Sequence, residues 1–370
     1  MRPIVPLSTA RNPEVMKPDQ NLLSEDMAAI AARSAPLWKA LRGQSLFITG
    51  GTGLFGRWLL EAMLCANSTL GTDLKATVLT RNPDNFRRQF PQFFGDGAVR
   101  VIGGDVMSFD FPDESFSHVL HMATTSAWET SHGEDQLRKF HTLLHGTERT
   151  LQFAARCGAK KVFFTSSGVA YGPTPSGMQR ILEEYPGSPD TTQVDSALGI
   201  AKRSAEFLCA YYAQKHGFEF TVGRCFSFVG PHLPLDIHYA IGNFIRDALF
   251  AETIVVKGDG SPMRSFLYMS DLIVWLLTML VNGRHARVYN VGSDQAVSIL
   301  DLAHLVRDTV SPGKPVQVLG ESGNRVGNFS RNWYVPDIGR ARTELGLDAW
   351  TSLESSIRKT ADFARASGQV

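Results

Sequence analysis

Thr49-Gly50-Gly51-Thr52-Gly53-Leu54-Phe55-Gly56 follows the apolar run Ser45-Leu46-Phe47-Ile48 and leads into Arg57-Trp58-Leu59-Leu60-Glu61-Ala62-Met63-Leu64. The order is a short strand, a glycine-rich turn and an amphipathic helix. Glycines at 50, 53 and 56 let the backbone turn sharply, let an anion approach without meeting a Cβ, and let the helix pack closely on the strand. A helix that opens here aims unpaired N–H groups and the positive end of its dipole at phosphates. With the strand before it and the helix after it, the glycine triplet reads as the cradle of a dinucleotide pyrophosphate.

From this point strand and helix patterns alternate. Strands are predicted over 45–48, 76–79, 99–102, 118–121, 161–165 and 219–224, and helices over 56–65, 136–157 and 199–216. Such alternation predicts an α/β fold: a doubly wound parallel sheet covered on both faces, with ligands at the carboxyl ends of its strands. The dinucleotide-binding domain is expected over 44–228. Residues 229–370 mix short helices, loops and isolated strands (253–256, 288–291) and read mainly as a smaller α/β substrate-binding lobe, interleaved with the first domain. Residues 1–43 form an N-terminal extension with a proline-rich start and Ser24-Glu25-Asp26 as a helix cap before 27–32, expected to be a surface arm or an oligomer contact.

The 370 residues, 43% hydrophobic and 20% charged with a formal charge of +1, describe an ordinary globular protein and speak against nucleic-acid or membrane-surface binding. Cys65, Cys157, Cys209 and Cys225 form no CxxC pair, which predicts no metal site and a reducing, cytoplasmic location. The longest apolar run, 272–281, is half of the ~20 residues a membrane span needs. A buried helix is expected there.

Residues 49–56, Gly104-Asp105-Val106, His121-Met122-Ala123, Gly146-Thr147, Thr165-Ser166-Ser167 with Tyr171-Gly172, Lys202 with Glu206, Gly230-Pro231, Gly258-Asp259-Gly260 with Arg264-Ser265-Phe266, and Tyr289-Asn290-Val291-Gly292 occur in one consistent order. With them the chain resembles the extended short-chain dehydrogenase/reductases, the NAD(P)-dependent nucleotide-sugar epimerase, dehydratase and decarboxylase group. That resemblance implies a Rossmann-type domain, a nucleotide-diphosphate sugar as substrate, and a homodimer formed through two long helices, here 136–157 and 199–216.

The resemblance places the cofactor against Gly50, Gly53, Leu54, Phe55, Gly56, Asp105 (adenine), Val106, Ala123 and Lys202. NAD-specific members carry an acidic residue at the end of the second strand, where this chain reads Leu79-Thr80-Arg81-Asn82. A missing carboxylate removes repulsion against a 2′-phosphate, and the Arg81 guanidinium can bind one through paired hydrogen bonds. NAD or NADP is expected, with the pattern leaning to NADP.

Family chemistry begins with loss of a hydride from a sugar carbon while a tyrosine phenolate takes the hydroxyl proton. A lysine four residues later holds the nicotinamide ribose, and a Ser or Thr on the preceding strand fixes the sugar oxygen. Ser167 and Lys202 match, but position 198, four residues before the lysine, is leucine. An aliphatic chain carries no proton, and loss of one general base costs on the order of 10²–10⁴ in rate. Candidate substitutes are Tyr171, His121, His232, His238 and the run Thr124-Thr125-Ser126. Dehydratases follow the catalytic residue with Asp-Glu, and decarboxylases place a Glu after theirs. Gly168-Val169 offers neither and is closer to the epimerases.

On the substrate side the resemblance points to Thr124, Ser167, Asn243 and Arg264, the last for the diphosphate, and to Ser227 where most members have Asn. Three functions stay open: a nucleotide-sugar epimerase-like enzyme lacking the usual tyrosine, a reductase or epimerase of a 4-keto nucleotide sugar, and a cofactor-binding protein with little turnover.

Overall fold

The structure, a computed structural model, describes residues 18–125, 129, 132–237, 239–320 and 333–368. Seven parallel strands form the central sheet: β1 (Ser45–Thr49), β2 (Lys75–Thr80), β3 (Val99–Gly103), β4 (His118–His121), β5 (Lys161–Ser167), β6 (Glu219–Cys225) and, beside β6, the strand Arg287–Val291. Their order across the sheet is 287–291, β6, β5, β4, β1, β2, β3. Order reverses at β1, so a crevice opens between the ends of β1 and β4, where Thr49 pairs in register with His121. The predicted strand at 288–291, assigned to the second part of the chain, completes this sheet by pairing with β6.

Alternation along β1 explains the two layers. Leu46 and Ile48 face a core with Trp58, Leu59 and Met63 of the helix Leu54–Leu70 and with the helix Met269–Asn282, whereas Phe47 faces Phe153, Phe109 and Phe116 under the helix Gln136–Arg156. Helices Gln136–Arg156 and Ala197–His216 pack side by side over that second face. The apolar run at 272–281 lies in the buried helix Met269–Asn282. Among the described residues no helix is long and apolar enough to cross a membrane. A third core, with Val229, Leu233, Ile241, Phe244, Ile254, Leu302 and Ile357, holds the smaller lobe.

The extension departs from expectation. Its described part forms the helices Pro18–Arg33 and Ala35–Ala40, which bury Ile30, Leu37 and Trp38 in the first core rather than projecting as an arm. Ser24-Glu25-Asp26 lies within the first of these helices rather than at the start of one. Asp26 is buried and accepts hydrogen bonds from Tyr268 Oη and Lys359 Nζ, both at 2.6 Å. Leu23, Met27, Ile30 and Ala31 recur at helical spacing, which is what drives this face inward.

Candidate active site

The turn after β1 is shaped by absent side chains. Gly50 has φ +75°, and a Cβ there would stand 2.5 Å from the Met122 backbone carbon. A Cβ on Gly56 would lie 2.3 Å from Gly51 Cα. Gly53 is the N-cap of the helix Leu54–Leu70 and supplies no side-chain cap, so the N–H groups of Leu54, Phe55 and Gly56 open toward the crevice. An uncapped helix start lined by glycine fits a pyrophosphate.

Thr49 and His121 lock the strand ends beside this turn. Thr147 Oγ1 donates to Leu143 O, so it accepts from His121 Nε2–H at 2.9 Å. That leaves Nδ1 to accept from Thr49 Oγ1 at 2.6 Å, and Thr49 Oγ1 in turn accepts from the Ala123 N–H. Burial, with Lys202 nearby, pushes the His121 imidazole down to about 3. His121 is therefore neutral and committed on both nitrogens.

After β3, Asp105 Oδ1 accepts from Met107 N–H at 2.9 Å, and Val106 packs where a Gly146 side chain would be. Arg81, at the end of β2, reaches across the crevice to Glu129, with Nη1 3.2 Å from Oε1. Sequence reading missed Glu129, which belongs to no recognisable motif.

Lys202, one turn into the helix Ala197–His216, is only 4% exposed. Its Nζ donates to Thr165 O at 2.7 Å and sits 4.9 Å from the centre of the Phe164 ring. Burial pulls its ammonium down to about 8. Leu198 sits half-buried in the first turn of the same helix. Ser167 ends β5 and accepts from Val169 N–H through Oγ. Beneath it Ser166 donates to Glu206 at 2.5 Å, and Glu206 holds Arg224 by two hydrogen bonds of 2.9 and 2.6 Å. Arg224 lies 4.3 Å from the centre of the Tyr171 ring.

Tyr171 is fully buried and donates to Asn290 Oδ1 at 2.8 Å, and burial raises its phenol to about 12. It belongs to the frame. His232, at φ +69°, packs edge-on to Phe363, and burial lowers its imidazole to about 3. His238 and Ser126 lie outside the described residues.

In the second part of the chain Arg264 stands beside Tyr334. Strand Met263–Arg264 pairs with Val297–Ser298 on one side and Trp333–Tyr334 on the other, placing Arg264 and Tyr334 in register. The Arg264 guanidinium lies 6.0 Å from the Tyr334 ring centre and donates to Met263 O. Ser227 follows Phe226, whose ring lies 4.7 Å from that of Tyr334. Asn243 sits inside the helix Ala240–Phe250, past its N-cap at Tyr239, so it is not a cap. Thr124 is exposed just beyond Ala123. Tyr334 was not foreseen, being far from every quoted motif.

This is the architecture of a dinucleotide-dependent α/β enzyme, with the candidate residues of the first domain near the carboxyl ends of the strands. The family model described as the NAD dependent epimerase/dehydratase family matches residues 46–292, and the chain belongs to that family. Similar proteins include UDP-glucuronic acid decarboxylase 1 of Xenopus tropicalis, 28% identical over 324 residues (86% of this chain, 72% of the relative). UDP-glucuronic acid decarboxylase 2 of Arabidopsis thaliana is 26% identical over 324 residues, 87% of this chain and 68% of the relative. Among solved structures, the UDP-glucuronic acid 4-epimerase from Bacillus cereus in complex with UDP-glucuronic acid and NAD shares the fold at TM-score 0.72 and 20% identity, over 87% of this chain and 99% of that one. A UDP-N-acetylglucosamine 4-epimerase from Methanobrevibacter ruminantium does so at 0.74 and 19%, over 88% and 99%.

Proposed function

We propose that this chain is an NAD-dependent nucleotide-sugar epimerase of the extended short-chain dehydrogenase/reductase type that works without a tyrosine at position 198. The reading rests on one observation above all: an uncapped, glycine-lined helix start follows β1, and the buried cation of Lys202 is near enough to His121, on the neighbouring strand β4, to depress its imidazole. Nicotinamide adenine dinucleotide, when bound, supplies the hydride acceptor and donor. Gly50, Gly53, Leu54, Phe55 and Gly56 would hold its pyrophosphate, with Asp105 and Val106 at the adenine and Ala123 and Lys202 toward the nicotinamide ribose. NAD is favoured over NADP because Glu129 already pairs with Arg81, the cation a 2′-phosphate would need.

On the substrate side, Arg264 and Asn243 are assigned to the diphosphate, and Ser167, Ser227 and Thr124 to the sugar. Gly168 and Val169 carry no carboxylate next to Ser167, which supports epimerisation over the decarboxylation named for the relatives above. A cytoplasmic location is supported by four unpaired cysteines, and a homodimer by Phe207 and Tyr211, exposed on the helix Ala197–His216. Leu198 favours a second reading, in which a 4-keto nucleotide sugar arrives already oxidised and is reduced or epimerised.

Incubation with a panel of nucleotide sugars in deuterated buffer separates these. Epimer without solvent label supports removal and return of one hydride. Label next to the carbonyl supports the keto-sugar reading. No change with any sugar, despite tight NAD binding, refutes both.

A further inference from the structure

We propose that Tyr334 is the proton-carrying group of the sugar site, in place of the tyrosine absent at 198. The inference rests on the epimerase reading above. A Cβ built on Gly168 would stand 2.7 Å from Tyr334 Oη, so the hydroxyl fills the space that any side chain at 168 would occupy. Position 168 directly follows Ser167. In the dehydratases that this chain resembles, that position carries an acid. Here glycine clears it, and a phenol enters from another element.

Three further observations place Tyr334 at the substrate. It lies in register with Arg264, so in adjacent parallel strands the two side chains project from one face. Its backbone is clamped, because Ile181 N–H donates to Val335 O and Asp337 N–H to Ile181 O, both at 2.9 Å. Its ring packs on Phe226, next to Ser227. Tyr334 thus spans from the cation assigned to the diphosphate to the strand end assigned to the sugar. Two of the alternative groups hold the frame: His121 bonds Thr49 and Thr147, and Tyr171 bonds Asn290.

In the forward step the sugar O–H bond breaks and an O–H bond forms on the Tyr334 phenolate oxygen. The pair left on the sugar oxygen becomes the carbonyl π bond as the carbon's hydride leaves for the oxidised nicotinamide dinucleotide. The reverse returns both to the sugar. Only the phenolate form accepts a proton, so turnover rises with pH.

The test compares wild type, Tyr334→Phe and the double variant Tyr334→Phe/Leu198→Tyr. Each is loaded with NAD and mixed with UDP-glucose, UDP-glucuronic acid and UDP-N-acetylglucosamine, following cofactor reduction and epimer, with calorimetric titration of UDP as the binding control. Tyr334→Phe is expected to lose about 10²–10⁴ in kcat and the pH slope, with KM and UDP affinity unchanged, and the double variant to regain activity. Retention of kcat within a few-fold and of the slope in Tyr334→Phe overturns the proposal while leaving the epimerase reading intact. Matched losses of UDP affinity and activity overturn it in favour of a binding role. A wild type that binds NAD and UDP but converts no sugar overturns both.

Discussion

Lys202 is a buried cation that the fold tolerates at a cost, and that cost can be measured. With an ordinary value of 10.5 and a folded-state value of about 8, it binds fewer protons when folded between those limits. Stability is therefore fully present above about pH 10.5 and is lost as pH falls toward about 8. At 1.36 kcal/mol per unit, the cost is roughly 3 kcal/mol at about pH 7 and falls to roughly 1 kcal/mol by about pH 10. Lys202→Met keeps the length of the side chain and removes the charge, but forfeits the bond to Thr165 O, about 1 kcal/mol net. Urea unfolding of both proteins across this range should show wild type gaining roughly 2.5 kcal/mol on the variant between about pH 7 and about pH 10. Glu206, Cys209 and Cys225, which face the ammonium, are present in both proteins. Parallel stability curves would refute the reasoning, because the ammonium would then be solvated in the folded state. The same variant should weaken NAD binding, as expected of a charge kept for a ligand against the interest of the fold.

Tyr171→Phe leaves the Asn290 Oδ1 acceptor without its donor and should cost about 1–2 kcal/mol in unfolding free energy with the pH profile of turnover unchanged; an altered profile would restore Tyr171 as a proton carrier. Gly56→Ala drives a Cβ against the Gly51 backbone and should lower the unfolding free energy by about 3 kcal/mol at an unchanged urea slope, with loss of NAD binding. Glu129→Gln removes a half-exposed pair and should improve NADPH affinity relative to NADH by up to about fivefold in fluorescence titration; no change would detach Arg81 from cofactor choice. His121, held at about 3 against an ordinary 6.5, gives stability that is present above about pH 6.5 and lost on acidification, about 2 kcal/mol by about pH 5. A urea midpoint constant over that interval would contradict the buried, neutral imidazole.

What could be read from the sequence was local and periodic. The glycine turn, the strand–helix alternation and the buried helix at 272–281 each announce themselves within a short window, and all three have counterparts in the structure. The N-terminal helices were legible too. Their apolar spacing was overshadowed by the prolines that precede it. Tyr334 and Glu129 belong to another category. Tyr334 reaches Gly168 through a two-residue strand that borrows its register from Met263–Arg264, and Glu129 meets Arg81 across the crevice. Neither meeting has a period or a spacing, since each depends on where two separate segments end in space.

The frame beneath Ser167 bears on which reactions this site can perform. Ser166, Glu206, Arg224, Tyr171 and Asn290 form one continuous buried chain of hydrogen bonds and charge contacts, closed by Glu183 accepting from the Asn290 N–H. A buried pair such as Glu206 with Arg224 adds little net stability after desolvation, but breaking it leaves an uncompensated charge, so it pins the end of β5 in one place. Every acid in that chain is spent on the pinning. Elimination or decarboxylation would need a further carboxylate facing the sugar, and positions 168 and 169 offer a hydrogen atom and an isopropyl group. Epimerisation asks for less: a fixed hydroxyl, a hydride carrier and a single group that takes and returns one proton. On the epimerase reading proposed above, a rigid platform with the Tyr334 phenol beside Ser167 is suited to that smaller requirement.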